Sequence, residues 1–281
     1  MATAEEQAAT AAALAAQRLI ARQQAAVTEL RRRVEVFIRR AWRGLRDWRN
    51  PSISIFLALV LPVIRGGQRQ VASITDAQLS RLYSEVTGRP IRLAAVPTAS
   101  VTDLRAAEPG EVYERPFHDV WRALSDGKSL EEAVQVGEDR AVELAVTDLQ
   151  LAKTHAAQQV LQQQPGVVGY RRVLKGPESC AMCVVASTQR YHIADLMPIH
   201  PGCDCEVDPI IGDFDPGRVI DEDRLAKAHA AVMERLGISD SGARNPDYRK
   251  LLITHEHGDI GPVIAVRGEH FTGPADLNKS S

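Results

Sequence analysis

The chain has 281 residues, 44% hydrophobic, 25% charged and 5% aromatic. That length buries a substantial core and allows about two domains, which excludes a small scaffold held together by disulfides. The balance is that of a soluble globular protein, and abundant alanine with few aromatic residues leans toward helices. The formal charge of -2 conceals an asymmetry: residues 1–50 carry ten arginines against five acids, a surplus of +5, and the remainder carries -7. A basic segment of this kind suits nucleic acid or an acidic protein surface, or forms a solvated helix face.

The opening "MATAEEQAAT" is acidic early and has no continuous apolar run, so it does not read as a secretory signal. From Ala4 to Trp48 there is no proline and one glycine, Gly44, while alanine, leucine, arginine and glutamine dominate, and this predicts one long helix. Val27, Leu30, Val34, Phe37, Ala41, Leu45 and Trp48 recur at spacings of three and four, an apolar stripe with Arg31, Arg32, Arg33, Arg39, Arg40, Arg43 and Arg46 around it. The stripe must pack against an internal partner helix, or else serve self-association or docking on an assembly.

Pro51 ends that helix, and the apolar run "ISIFLALVLPVI", Ile53 to Ile64, is expected to form a second helix closed by Gly66 and Gly67. At twelve residues, against about 20 for a bilayer span, it reads as a buried helix, with no membrane implied. Val71, Ile74, Leu79, Leu82 and Val86 suggest a further amphipathic helix ending near "TGRP", followed by a polar connection from Val96 to Gly110. "SLEE", Ser129 to Glu132, fits a capping box that opens another long helix. Its inner face carries Val134, Ala141, Ala145, Leu149, Ala152, Ala156 and Val160, and "QQQPG" stops it at the main domain boundary.

The expected fold class is thus mainly α with a small α+β cysteine-containing module: a helical domain over 1–165, a cysteine-rich module over 166–215, and a last region over 216–281. "GVVGYRRVLKG" suits a short strand leading into the module. "DEDRLAKAHAAVMERLG", Asp221 to Gly237, reads as a helix, and "VIAV" near the end as one short strand before a polar tail.

All four cysteines stand between residues 180 and 205, as Cys180-x2-Cys183, a nineteen-residue interval, and Cys203-x-Cys205, with His200 three residues before Cys203. Zinc takes four soft or borderline ligands at the corners of a tetrahedron, and two close pairs joined by a loop supply them simply. The candidate ligands are Cys180, Cys183, His200, Cys203 and Cys205, four of the five, because His200 can replace Cys203 or Cys205 beside the tight Cys-x-Cys turn. A closed site of this kind is structural. Two disulfides and four unligated thiols are the other arrangements open to these residues.

His255-x-His257-x-Asp259 in "THEHGDI" resembles the opening of the metallo-β-lactamase signature, but Ile260 stands where that signature has a further histidine. These read instead as surface histidines near a short strand. No G-x-S-x-G elbow, P-loop or G-x-G-x-x-G run appears, no serine is singled out as a nucleophile, and His118, His155 and His229 sit on expected helices in ordinary packing or surface roles.

The succession of helices, a strand, Cys180-x2-Cys183, Tyr191 and then "PIHPGCDC" with Pro198, His200, Pro201, Cys203 and Cys205 resembles the Mu F-like minor head proteins, or head morphogenesis proteins, of tailed bacteriophages. The resemblance runs from about Tyr170 to Pro209, with the helix "DLQLAKTHAAQQVL" as its lead-in and a tail, "GPVIAVRGEHFTGP", like those of actinobacterial phage proteins of this type. Asp204 departs from the family's common arginine, and "VVAST" from its Leu-Asp-Gly-like run. The resemblance implies a few-copy, non-catalytic protein beside the portal during capsid assembly, located in the procapsid or virion head and in the host cytoplasm before that. Its implied partners are portal, scaffold or major capsid protein, and the arginine-rich helix could meet packaged DNA or an acidic portal or scaffold surface. The alternative is a capsid maturation protease acting on capsid or scaffold proteins.

Overall fold

A computed structural model describes residues 4–173, 187, 190–193, 205–212, 252–257 and 261–266. Four helices dominate the described residues: α1 (Ala4–Arg43), α2 (Asn50–Thr87), α3 (Pro109–Ser125) and α4 (Leu130–Gln163). Two small sheets follow, one from β1 (Val167–Val173), β2 (Arg190–Tyr191) and β3 (Glu206–Ile211), the other a hairpin of β4 (Leu252–His257) and β5 (Gly261–Val266). The mainly helical class with a small sheet beside it is as expected. The expected helix over 221–237 lies outside the described residues. "VIAV" falls within β5, and β4, which pairs with it through His255↔Val263, is a strand the sequence pattern does not suggest.

α1 is shorter than the expected Ala4–Trp48 helix: it stops at Arg43, Gly44 follows as a turn, and a short bend leads into α2. Pro51 then opens α2, where its missing N–H is one of the donors a first turn leaves unpaired in any case. α2 also corrects the expectation of two helices divided at Gly66 and Gly67, since it runs unbroken for 38 residues to the left-handed Gly88 cap. The reason is packing. A Cβ on Gly67 would lie 2.8 Å from Leu149 Cδ2 and 3.3 Å from Val34 Cγ2, so glycine there lets α1, α2 and α4 close together rather than ending a helix.

By length and composition α2 could cross a membrane, which corrects the expectation of a helix too short to do so. Its inner face is nonetheless part of the protein core, with Phe56 and Val60 fully buried and Ile64 nearly so, while Ile55 and Leu59 on the other side are exposed.

The core centre is where all four helices meet. Trp42 of α1, Phe56 of α2 and Phe117 of α3 form an aromatic trio with ring centroids 4.8–5.6 Å apart, and Trp42 Nε1 donates to the Val134 carbonyl of α4 at 3.1 Å. Tilted and edge-on contacts of this kind add to the burial of large rings. The apolar stripe of α1 is therefore taken up by internal partner helices, through Val27, Leu30 and Val34 as expected and through Ile38 and Trp42 as its most buried members.

α3 is a separate element within what the sequence presents as loosely organised chain. Tyr113, Phe117 and Val120 recur at spacings of four and three, Val112 stands beside them, and all four are buried. The capping box opening α4 is present in full: Ser129 N–H donates to Glu132 Oε2 at 2.9 Å, and Glu132 N–H donates to Ser129 Oγ at 3.3 Å. The connection before α3 is tied down from both sides. Asp76 accepts the N–H groups of Ala94 and Ala95, each at 2.9 Å, and Arg105 Nε donates to Asp148 at 2.6 Å.

A second core cluster joins Leu19, Leu79, Leu82, Ala157, Val160 and Leu161 of the helices to Tyr170 of β1. This cluster seats the three-stranded sheet, of order β2-β1-β3 and antiparallel throughout, on the helical body. β3 is an edge strand, the position that tolerates Pro209.

Candidate functional site

Cys205 stands immediately before β3, and it is the one of the five proposed ligands within the described residues. Cys180, Cys183, His200 and Cys203 lie outside them. The strands on either side of the cysteine segment pair with each other: Val173 at the end of β1 faces Glu206 at the start of β3. The two ends of the segment from 174 to 205 are thus side by side, and its interior residue Tyr191 is tied to the same sheet by pairing with Tyr170.

Period-two alternation puts Tyr170 and Arg172 on the same face of β1, and pairing adds Tyr191 from β2 and Val207 from β3 to that face. The two tyrosine rings stack with centroids 5.2 Å apart. The Arg172 guanidinium lies 5.8 Å from the Tyr170 centroid and 5.4 Å from that of Tyr191, and its Nη1 donates to Cys205 Sγ at 3.2 Å. Burial pushes the Tyr191 hydroxyl above its ordinary range, against the pull of Arg172, so the ring stays neutral beside the cation.

From the helical side, Lys153 of α4 donates its ammonium to the Cys205 carbonyl at 3.2 Å and to Glu206 Oε1 at 3.1 Å. Lys153 and Glu206 are both buried, with 7% and 3% of their surface exposed, so this is an ion pair that must stay paired. Gln158 of α4 donates to the Ile193 carbonyl at 3.3 Å. Backbone and sulfur of Cys205 are therefore held by two cationic side chains from two different elements. The cysteine spacing does not single out Arg172, Lys153 or Glu206. The usable signal is the alternation in "VVGYRRV", which sets one of its two adjacent arginines on the tyrosine face.

Cys205 fits a metal-ligand role in its surroundings: a sulfur facing buried positive charge is suited to carry negative charge. Among the described residues, no group of three or more His, Cys, Asp or Glu is arranged to hold a metal. His255 and His257 of the metallo-β-lactamase-like run lie on β4, and Asp259 lies outside the described residues.

Much of the basic face of α1 is engaged within the chain. Arg31 pairs with Glu35, and Arg32 and Arg33 with Glu29, each at 2.8 Å. Those last two guanidiniums push the Glu29 carboxyl down to about 2. Arg39 and Arg43 both reach the buried Glu138 of α4, at 2.8 and 2.7 Å, and Arg39 also pairs with Asp139. Burial opposes ionisation of Glu138, but the Arg43 and Arg39 guanidiniums outweigh it and hold its carboxyl below the ordinary range. Arg40 and Arg46 are exposed.

A second buried cluster lies further along α4, at Asp148. Asp148 accepts from Arg105 at 2.6 Å and from the Tyr113 hydroxyl at 2.7 Å. Burial raises both the Asp148 carboxyl and, well above its ordinary range, the Tyr113 hydroxyl. The cluster pins the connection before α3 to α4, a structural task.

Comparison with protein-family models, with curated proteins and with solved structures finds no match to this chain.

Proposed function

We propose that the chain is a minor head protein of a tailed bacteriophage, Mu F-like in type, which works beside the portal in capsid assembly and carries out no catalysis. The observation that carries this reading is the compound motif: Cys180-x2-Cys183, Tyr191 and His200-Pro201-x-Cys203-x-Cys205 following a long helix in one chain. The pairing of the strands on either side supports treating the motif as one closed module rather than as scattered thiols.

In this reading the module carries a structural zinc ion on four of Cys180, Cys183, His200, Cys203 and Cys205. When bound, zinc would fix the fold of the module and supply no open position for chemistry. The partners are portal, scaffold or major capsid protein, met in the procapsid or virion head after synthesis in the host cytoplasm. Arg31, Arg32, Arg33, Arg39, Arg40, Arg43 and Arg46 form the face offered to packaged DNA or to an acidic portal or scaffold surface. Arg40 and Arg46, exposed and outside the ion pairs with Glu29, Glu35, Glu138 and Asp139, are the first of these to test.

Mass spectrometry of finished particles, with and without the gene, tests the proposal. The chain is expected in the virion at low copy, and its deletion is expected to impair head assembly while any maturation cleavage of capsid protein goes on. If the chain is missing from finished virions and its deletion leaves the major capsid protein uncleaved, the capsid maturation protease replaces this reading.

A further inference from the structure

We infer that the outer face of α2, with the arginines at its two ends and on α1 beside it, is a docking surface for an acidic amphipathic helix of a partner protein. The inference uses no part of the cysteine motif, and it goes beyond the phage reading by adding an apolar contact surface to the basic one.

A helix on the outside of a globular body carries charged and polar residues outward. α1 does so with Arg32, Arg33, Arg40 and Arg43, Val36 apart. The first half of α2 does not. Asn50 to Ile64 contains no charged residue, and beyond Asn50 and Pro51 its exposed positions are Ser54, Ile55, Ala58, Leu59 and Pro62. Ile55 and Leu59 are 56% and 47% exposed, while Phe56, Val60 and Ile64 fill the opposite side. Ile55, Leu59 and Pro62 follow at spacings of four and three, and the same row continues through Gly66 to Arg69. From Arg49 at the N-cap to Arg69 the row is about 30 Å long.

The charges around that row are of one sign. Arg46 and Arg49 stand at its start and Arg69 at its end. Arg40 is on the exposed side of α1, between the level where Trp42 meets Phe56 and the level where Val34 approaches Gly67. All four are exposed and stand outside the ion pairs that engage Arg39, Arg43 and Arg65. Asp47, the acid among them, accepts from Ser52 Oγ and from the Arg49 N–H.

Charge complementarity selects the occupant. A two-fold pair of this chain would set the arginine rim against itself. Duplex DNA is held through its phosphates and would leave Ile55 and Leu59 covered without an apolar partner. A helix with apolar anchors at i, i+4 and i+7 matches the row, and acids at its ends and along one flank meet Arg49 with Arg46, Arg69 and Arg40.

Fluorescence anisotropy of the full chain tests this with a labelled helical peptide of about 20 residues, leucines along one face and glutamates at both ends and one flank. Its controls carry lysine in place of every glutamate, or serine in place of every leucine. The acidic peptide is expected to bind about tenfold or more tightly than either control, and to weaken as salt is raised. Ile55→Ser/Leu59→Ser and Arg40→Glu/Arg46→Glu are each expected to weaken it about tenfold or more, whereas Leu130→Ser, exposed on α4, leaves it unchanged. Circular dichroism checks each variant for helix content. If a variant loses helix, the three peptides compared on the wild-type chain decide alone. Equal binding of the three peptides, or binding indifferent to both double variants, overturns the inference. So does a surface that instead takes phosphatidylglycerol vesicles or duplex DNA, or self-association in sedimentation that Leu59→Ser abolishes. None of these results bears on the cysteine motif, so the phage reading stands or falls separately.

Discussion

Three glycines inside the helices, Gly66, Gly67 and Gly137, separate the effect of helix propensity from that of close packing. Replacing a helical glycine by alanine stabilises an open helix site by about 0.8–1.0 kcal/mol. Gly66 is such a site, with nothing within 4 Å of an added Cβ. At Gly137 an added Cβ would lie 2.5 Å from Trp42 Cζ2, 2.6 Å from Val120 Cγ2 and 2.8 Å from the Pro116 carbonyl oxygen. Carbon atoms pack best at about 3.5–4.0 Å, so the indole and the α3 backbone must move by roughly 1 Å. Trp42 has little room to move, since it is fully buried against Phe56 and Phe117 and bonded to the Val134 carbonyl. Overpacking costs about 1–3 kcal/mol and occasionally more, and three close contacts, one of them backbone, put Gly137→Ala at the upper end. After the propensity gain, the net loss is about 2 kcal/mol, or roughly 4–8 °C in melting temperature for a protein of this size. Gly67→Ala falls between, because its closest neighbour is the flexible end of Leu149. Urea denaturation followed by circular dichroism checks the order Gly66→Ala above wild type, Gly67→Ala near or slightly below it, and Gly137→Ala well below. Gly137→Ala within about 0.5 kcal/mol of wild type, a typical surface-substitution effect, would refute the reasoning about this core.

Two further expectations concern the charges that join elements. Lys153→Met leaves the Glu206 carboxylate buried without its ammonium and should destabilise the chain by about 3–5 kcal/mol, read from the same denaturation curves. The double variant Lys153→Met/Glu206→Gln should return a large part of that loss, because the stranded charge is then gone. Glu138 supplies a pH dependence. Its folded carboxyl is held below its ordinary value near 4.5, so its contribution is fully present above that value and is lost as pH falls through the lower folded one. The difference in urea midpoint between wild type and Glu138→Gln should therefore be largest at neutral pH and shrink in acid below about 4. A difference that stays constant across this range would argue against the Arg39–Glu138–Arg43 link.

The features legible in the sequence are those written in local chemistry. Ser129 and Glu132 announce α4 because their side chains and backbone N–H groups satisfy one another within four residues. The stripe through Val27, Leu30 and Val34 is legible because a single face of a single helix carries it. Gly66 and Gly67 mislead because the same residue type serves a helix end and a close helix crossing, and only the partner surfaces, Leu149 and Val34, tell the two apart. The arginines around α1 mislead in part for a similar reason: Glu138, which takes Arg39 and Arg43, is about a hundred residues away. At the candidate site the cysteine spacing is visible, whereas Arg172 and Lys153 gain their meaning from the β1–β3 pairing and from the α4 face beneath it.

The separation of the two core clusters determines how the metal reading must be tested. In small zinc domains metal binding and folding are one event, so a chelator unfolds the domain. Here the cluster around Trp42, Phe56 and Phe117 is built from the four helices without any cysteine, and the helices have the burial to stand without a metal. The second cluster, through Tyr170, ties the sheet to that body. Retention of helix signal after chelation therefore says nothing about zinc, since the helices would persist with or without it. The informative signals are local to the sheet: the near-ultraviolet signal of the stacked Tyr170 and Tyr191, and hydrogen exchange at the Val173–Glu206 pair that joins the ends of the cysteine segment. A metal that organises the module should protect that pair, and its removal should release the pair while leaving the helical core closed.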